Sequence, residues 1–256
     1  MSQSAVGGAS AAAQNTVADP IQRDQHARFR PRRVWFYGLA VLIALSIVAF
    51  NIIRPITVLP RIAPSPGVAL IGTDGQPVTS EDQRGFLTLY SFSYLDCAEA
   101  CPQSFDDIAG LRQSVVAALP PGTPLRFVTI SVDPERDTPE RLRQAGEAWG
   151  LLAGAAGGHL LKGDPASLRA TGGGGFRVYF SEPKEPTAGS PNRVTFDPRY
   201  VLVDHLGIMR ADYRTGVLDP ALLVRDVNML VEEAANSDGI ARLGYEAAHL
   251  FLCYPR

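Results

Sequence analysis

Residues 34–53 read Val-Trp-Phe-Tyr-Gly-Leu-Ala-Val-Leu-Ile-Ala-Leu-Ser-Ile-Val-Ala-Phe-Asn-Ile-Ile, without one charged side chain. No other stretch restricts the chain as severely, because about 20 apolar residues in a helix match the hydrocarbon thickness of a bilayer. The run predicts a transmembrane anchor over 34–53, with Trp35, Phe36 and Tyr37 at one interface. A cleaved signal peptide is the competing reading, but the run exceeds the usual apolar segment of such a signal and no small-x-small site follows it. Arg28, Arg30, Arg32 and Arg33 precede the span, against the single Arg54 after it. The positive-inside rule then keeps the N-terminus in the cytoplasm and exports the rest, which in a bacterium means a single-pass inner-membrane protein with a periplasmic domain. Residues 1–33 carry few large apolar side chains ahead of their basic cluster and are expected to be disordered. Four prolines within 54–66 predict a linker that lifts the domain off the membrane.

Beyond the linker the pattern turns globular. Thr73-Asp-Gly-Gln76 between short apolar runs predicts a hairpin over 67–79, and Leu87–Phe92 is the first strong strand. Phe105, Ile108, Leu111, Val115 and Leu119 recur at helical spacing, giving a helix over 102–119. A second strand over 125–132 runs into Asp133-Pro-Glu-Arg-Asp137-Thr-Pro139, where Thr138 or Asp137 caps a helix with Pro139 at its first position. The glycine-rich stretches 154–158 and 172–175 lack a phosphate-binding pattern and are read as turns, and 176–180 as a strand. Tyr200–Val203 is a further strand, Asp219 caps a helix through Val231, and after a break at 236–239 an amphipathic segment forms an appended helix. Strands alternating with helices require an α/β sheet with crossover connections, here a domain over 67–235 and a helical extension over 236–256. The net charge of -2 gives no basic field for a nucleic-acid partner, and three cysteines do not make a disulfide scaffold.

Two of those cysteines stand in Asp96-Cys97-Ala-Glu-Ala-Cys101-Pro102, directly after the first strong strand. If Pro102 opens the helix, Cys101 lies at its N-terminus, where exposed amides and the dipole favour a thiolate. The pair is then a candidate for redox chemistry or soft-metal binding. A structural disulfide and inert buried thiols are equally compatible with the spacing.

The stretch Phe92-Ser-Tyr-Leu-Asp-Cys97-Ala-Glu-Ala-Cys101-Pro102, followed by Ile130-Ser-Val-Asp-Pro-Glu-Arg-Asp-Thr-Pro-Glu140, resembles the Sco/SenC family. The hairpin turn, Arg84-Gly85 and the single N-terminal anchor agree with it. The resemblance implies a thioredoxin-like fold with an N-terminal hairpin. It also implies a copper chaperone and thiol-disulfide reductase that assembles the binuclear copper centre of cytochrome c oxidase. Cys97 and Cys101 would then be both the thiolate ligands of copper, as Cu(I) with Cu(II) as a second state, and the redox pair. The implied partners are the copper-bearing oxidase subunit or another copper chaperone, and a thiol reductant. Two positions depart from the family: Ala98 replaces the usual proline, and Phe196 stands where the family has its histidine ligand, eight residues before Asp204. As substitute third ligands Cys253, Met209 and His205 are weak candidates, while His159 and His249 are read as structural and His26 precedes the span. Asp133 is expected at the same sheet edge as the cysteines, tuning their charge or holding a basic partner. An exported thiol-disulfide reductase without tight copper binding, and a non-catalytic module with a structural disulfide, are the alternative functions.

Overall fold

The computed structural model describes residues 31–53, 57–97, 101–152, 157–187 and 189–251. The chain divides into two compact units, Met1–Ile53 and Arg54–Arg256. In the first, helix α1 (Pro31–Ile53) carries the uncharged run, and every described side chain from 34 to 49 is exposed. Among the described residues no helix is long and apolar enough to cross a membrane. The expected span continues through 50–53, whose side chains lie outside the described residues, as do residues 1–30.

The second unit is built on a six-stranded sheet of β1 (Ala63–Pro64), β4 (Leu87–Ser93), β5 (Leu125–Ser131), β6 (Gly158–Leu161), β7 (Tyr200–Val203) and β8 (Ile208–Tyr213), ordered β1-β8-β7-β4-β5-β6. β4, β5 and β6 run parallel, in register from Leu87 beside Leu125 to Ser93 beside Ser131. Their crossovers pass through α2 (Phe105–Ala118) and α3 (Pro139–Ala148). β7 runs antiparallel to β4, Tyr200 beside Ser91, and β8 returns against β7. The expected hairpin is present as β2 (Ala69–Ile71) and β3 (Pro77–Thr79).

Strand side chains alternate between faces. Leu87, Leu89, Leu125, Phe127, Tyr200 and Leu202 pack with α2 and with Leu223, Val227 and Leu230 of α5 (Pro220–Ala235). Tyr90, Phe92, Val128, Ile130, Val201 and Val203 face the hairpin, Leu168 of α4 (Pro165–Arg169), and Phe176, Val194 and Phe196. Both faces being covered, β4 is buried along its whole length, the hydroxyl residues Thr88, Ser91 and Ser93 included.

The structure departs from the sequence reading at five points. The second helix starts at Phe105, not at Pro102, because Ser104 forms a reciprocal capping box: its Oγ accepts from the Asp107 amide at 3.1 Å and the Asp107 carboxylate accepts from the Ser104 amide at 3.0 Å. Cys101 therefore lies three residues before the cap and outside the helix. Residues 170–176 form a wide helical turn instead of a loose glycine turn, and 176–180 is no strand. Arg177 takes a left-handed φ of 57°, and Phe180 keeps only an isolated bridge to Phe196. β8 was not expected, since Arg210 and Asp212 interrupt its apolar pattern. The proline-bearing segment does not stand off as a linker over 57–66: Val58 and Leu59 are buried and β1 joins the sheet edge through Ala63 and Met209.

The appended helix is present as α6 (Gly239–Phe251). His249 Nε2 lies 2.9 Å from Glu233 of α5, and Arg61 pairs with Glu246 at 3.1 Å, so α6 is fastened both to α5 and to the segment before β1.

Candidate thiol and metal site

β4 and β5 end side by side, with the Val132 amide donating to Ser93 at 2.9 Å, so the chain leaving each strand emerges at the same sheet end. From β4 comes the cysteine segment, and from β5 comes 133–138. Cys97 and Cys101 are joined by a disulfide with Cα atoms 5.3 Å apart, a separation well inside the range a bridge spans. Residues 98–100 lie outside the described residues. Both cysteines are partly buried and pack against the apolar cluster that holds Tyr94, Val194 and Phe196.

The neighbouring groups fix the backbone on each side of the pair. Before Cys97, the Leu95 amide donates to Asp137 at 3.1 Å, and the same carboxylate oxygen accepts from Ser131 Oγ at 2.5 Å. Burial pushes the Asp137 carboxyl up to about 6, against the lowering effect of those two hydrogen bonds. Asp96 is paired with Arg141 at 2.8 Å and Arg136 at 3.6 Å. After Cys101, Gln103 is fully buried; its carbonyl accepts from Ser93 Oγ at 2.7 Å and its side-chain oxygen from the Arg199 amide at 2.9 Å.

Asp133 reaches this sheet end and is fully buried, with Arg193 Nε 2.9 Å from its carboxylate. Arg193 also holds Glu135 at 3.1 Å and Glu185 at 2.9 Å. The basic partner of Asp133 is thus internal. Neither Arg193 nor Gln103 was singled out by sequence reasoning, and the sole signal for Arg193 was one arginine bordering the apolar Val194 after a polar loop.

Phe196 is 4% exposed, pairs by its backbone with Phe180, and meets Tyr94 edge-on at 6.3 Å between ring centroids. The Tyr94 hydroxyl donates to Asn192 at 3.1 Å. A hydrocarbon ring therefore stands in the position of the expected histidine. Of the other candidates, those among the described residues are not brought to the pair. The carbonyl of His205 accepts from the Gly85 amide at 3.0 Å, beside the start of β4 and so at the opposite end of the sheet. Met209 pairs with Ala63 and Val203 near that same end. His159 sits on edge strand β6 beside Val128, where burial and then Arg126 hold it below its ordinary value, and His249 is engaged on α6. Cys253 lies outside the described residues. Among the described residues no group of three His, Cys, Asp or Glu side chains could hold a metal ion. Among the described residues the pair itself offers two sulfurs, a donor set suited to soft Cu(I) and poorly suited to Cu(II), which prefers more ligands with nitrogen or oxygen among them. The same sulfurs can cycle between disulfide and dithiol.

Residues 67–232 match the SCO1/SenC family model. The SCO2-like protein RP587 of Rickettsia prowazekii is 35% identical over 79 residues, covering 29% of this chain and 35% of that protein. The chain spans between 35% and 42% of the length of the curated relatives it matches. Arabidopsis thaliana ScoI with copper bound superposes with a TM-score of 0.54 at 23% identity, over 66% of this chain and 99% of that one. BsSco, a member of the Sco family of cytochrome c oxidase assembly proteins in which a disulfide switch was identified, superposes with a TM-score of 0.54 at 22% identity, over 67% and 95% of the two chains. At these identities the structures show the fold, which is the mixed α/β, thioredoxin-like fold of Sco proteins.

Proposed function

Because the chain belongs to the SCO1/SenC family, we propose that it is a membrane-anchored copper-binding and thiol-redox protein assisting copper-centre assembly in cytochrome c oxidase. The observation that carries this reading is the Cys97–Cys101 pair, close enough to bridge and set at one end of the sheet within the matched residues. When reduced, the two thiolates offer linear coordination to a Cu(I) cargo. The apolar packing of Tyr94 and Phe196 shields that ion from water, and the cargo passes to the copper-bearing oxidase subunit or comes from another copper chaperone. When oxidised, the pair needs two electrons and two protons from a thiol reductant before it can bind again.

The anchor belongs to the same proposal. A 23-residue helix is about 35 Å long, and α1 presents exposed apolar side chains along its described length. Together with residues 50–53 of the uncharged run, this stretch supplies the length of a single pass through the bacterial inner membrane, with the arginine cluster inside and the domain in the periplasm.

The test is a Cu(I) titration of the reduced full-length protein. Uptake of about one ion that is lost in the Cys97→Ser/Cys101→Ser double variant is the expected result; undiminished binding by that variant overturns the assignment. Phe196 favours a second reading, a thiol-disulfide reductase that binds copper weakly. A reversible Cys97–Cys101 couple together with loss of the copper to a modest chelator would select it, and tight three-coordinate binding would reject it.

A further inference from the structure

Gly216, in the loop after β8, is 115 residues from Cys101 in sequence, yet it lies against the backbone that follows that cysteine. A Cβ built at Gly216 would overlap the carbonyl oxygen of Pro102 and lie 2.8 Å from its carbonyl carbon, while Pro198 walls the other side at 3.5 Å. The loop has little room to retreat. Leu218 is buried, Thr215 and Val217 close a tight turn through hydrogen bonds of 2.9 and 3.2 Å, and the Tyr200 hydroxyl donates to the Gly216 carbonyl at 3.4 Å. No residue but glycine fits this approach.

From this contact we infer that Gly216 is a positioning residue for Cys101: it backs Pro102 and sets the distance between the two sulfur-bearing residues, and so the balance between disulfide and dithiol. The inference deepens the redox reading of the site. The segment 101–103 is held by three elements at once: Ser93 of β4 through the Gln103 carbonyl, Arg199 at the head of β7 through the Gln103 side chain, and the loop at Gly216. On reduction by a dithiol such as dithiothreitol, the bond between the Cys97 and Cys101 sulfurs breaks. The pair takes up two electrons and two protons, and the reductant closes into its own disulfide. Displacing Pro102 moves Cys101 from a Cα separation of 5.3 Å that suits the bridge. The bridged state resists this displacement, whereas the open dithiol tolerates it.

The experiment is the equilibrium of full-length Gly216→Ala with dithiothreitol, bracketing the parent. The expected result is a shift of at least tenfold toward the dithiol, about 30 mV for a two-electron couple. Gly110→Ala, in α2 where an added Cβ meets nothing within 4 Å, should leave the equilibrium unchanged. A Gly216→Ala protein that loses stability but keeps the parent equilibrium overturns the inference, as does an equal shift in Gly110→Ala. If Gly216→Ala does not fold, Ser93→Ala decides. That variant removes one tie to the same segment without adding bulk; a threefold shift in the same direction supports the role and no shift overturns it. This equilibrium exists whether or not the pair handles copper, so a null result counts against Gly216 alone and leaves copper binding to its own titration.

Discussion

A phenyl ring offers a copper ion no lone pair, and at position 196 the ring is 4% exposed and set edge-on to Tyr94. Phe196→His should therefore raise Cu(I) affinity at least tenfold in a competition titration, while costing about 2 kcal/mol of stability for the lost apolar burial. Unchanged affinity would show that this position does not face the sulfurs. Asp137 has a different signature. Its folded value of about 6 lies above the ordinary 3.8. Below about pH 4 both folded and unfolded chains hold the proton; between there and pH 6 only the folded chain does. Stability therefore falls as pH rises through that window, by about 3 kcal/mol. Urea midpoints of Asp137→Asn should lack that decline between pH 4 and 7; a slope equal to the parent's would count against it. At this scale the positions of Cys97, Cys101 and Asp133 were legible because each follows a strong strand. The engagement of Arg193 with Asp133 was not, because the two stand 60 residues apart and only the folded sheet end joins them.

The elements were legible wherever a single period dominates. Phe105, Ile108, Leu111 and Val115 repeat at helical spacing and all are buried on one face of α2. The start of that helix was not legible, because Pro102 and Ser104 both carry start signals and only the reciprocal bonds with Asp107 decide between them. Ser104→Ala should cost about 1 kcal/mol, read as a lower urea midpoint. Because α2 begins beyond the cysteines, the same variant should leave the disulfide equilibrium near that of the parent. β8 escaped notice for a related reason: Arg210 is charged yet 2% exposed, so a buried ion pair masquerades as a surface pattern. The wide turn at 170–176 depends on glycines that tolerate many backbone shapes, and no periodicity could have selected this one.

Across the molecule, Arg210 is the point where distant segments meet. It pairs with Asp204 at 3.0 Å and Glu233 at 2.6 Å and donates to the Leu59 carbonyl at 2.7 Å, while His249 and Arg61 close on Glu233 from outside. The compact unit thus extends beyond residues 67–232 in both directions. The helical pattern of the extension was visible in sequence, whereas the docking of 57–66 was hidden by prolines that resemble a spacer. Burial raises the Glu233 carboxyl, but hydrogen bonds from His249 and Arg210 outweigh it and hold the group at about 2. Since this lies below the ordinary 4.5, the contribution is complete above about pH 4.5 and disappears as pH falls toward 2. Glu233→Gln should lose about 3 kcal/mol at pH 7, with the gap to the parent narrowing in acid when unfolding is followed from pH 7 to 2. A gap that does not depend on pH would refute the ionic account. The sheet itself ends in a two-residue strand that closes at Pro64, a residue with no amide hydrogen to offer, and at its other margin in four-residue β6, continued by the Ile71 to Lys162 bridge. Among the described residues, then, both margins of this sheet offer only short edges to a strand from a second molecule.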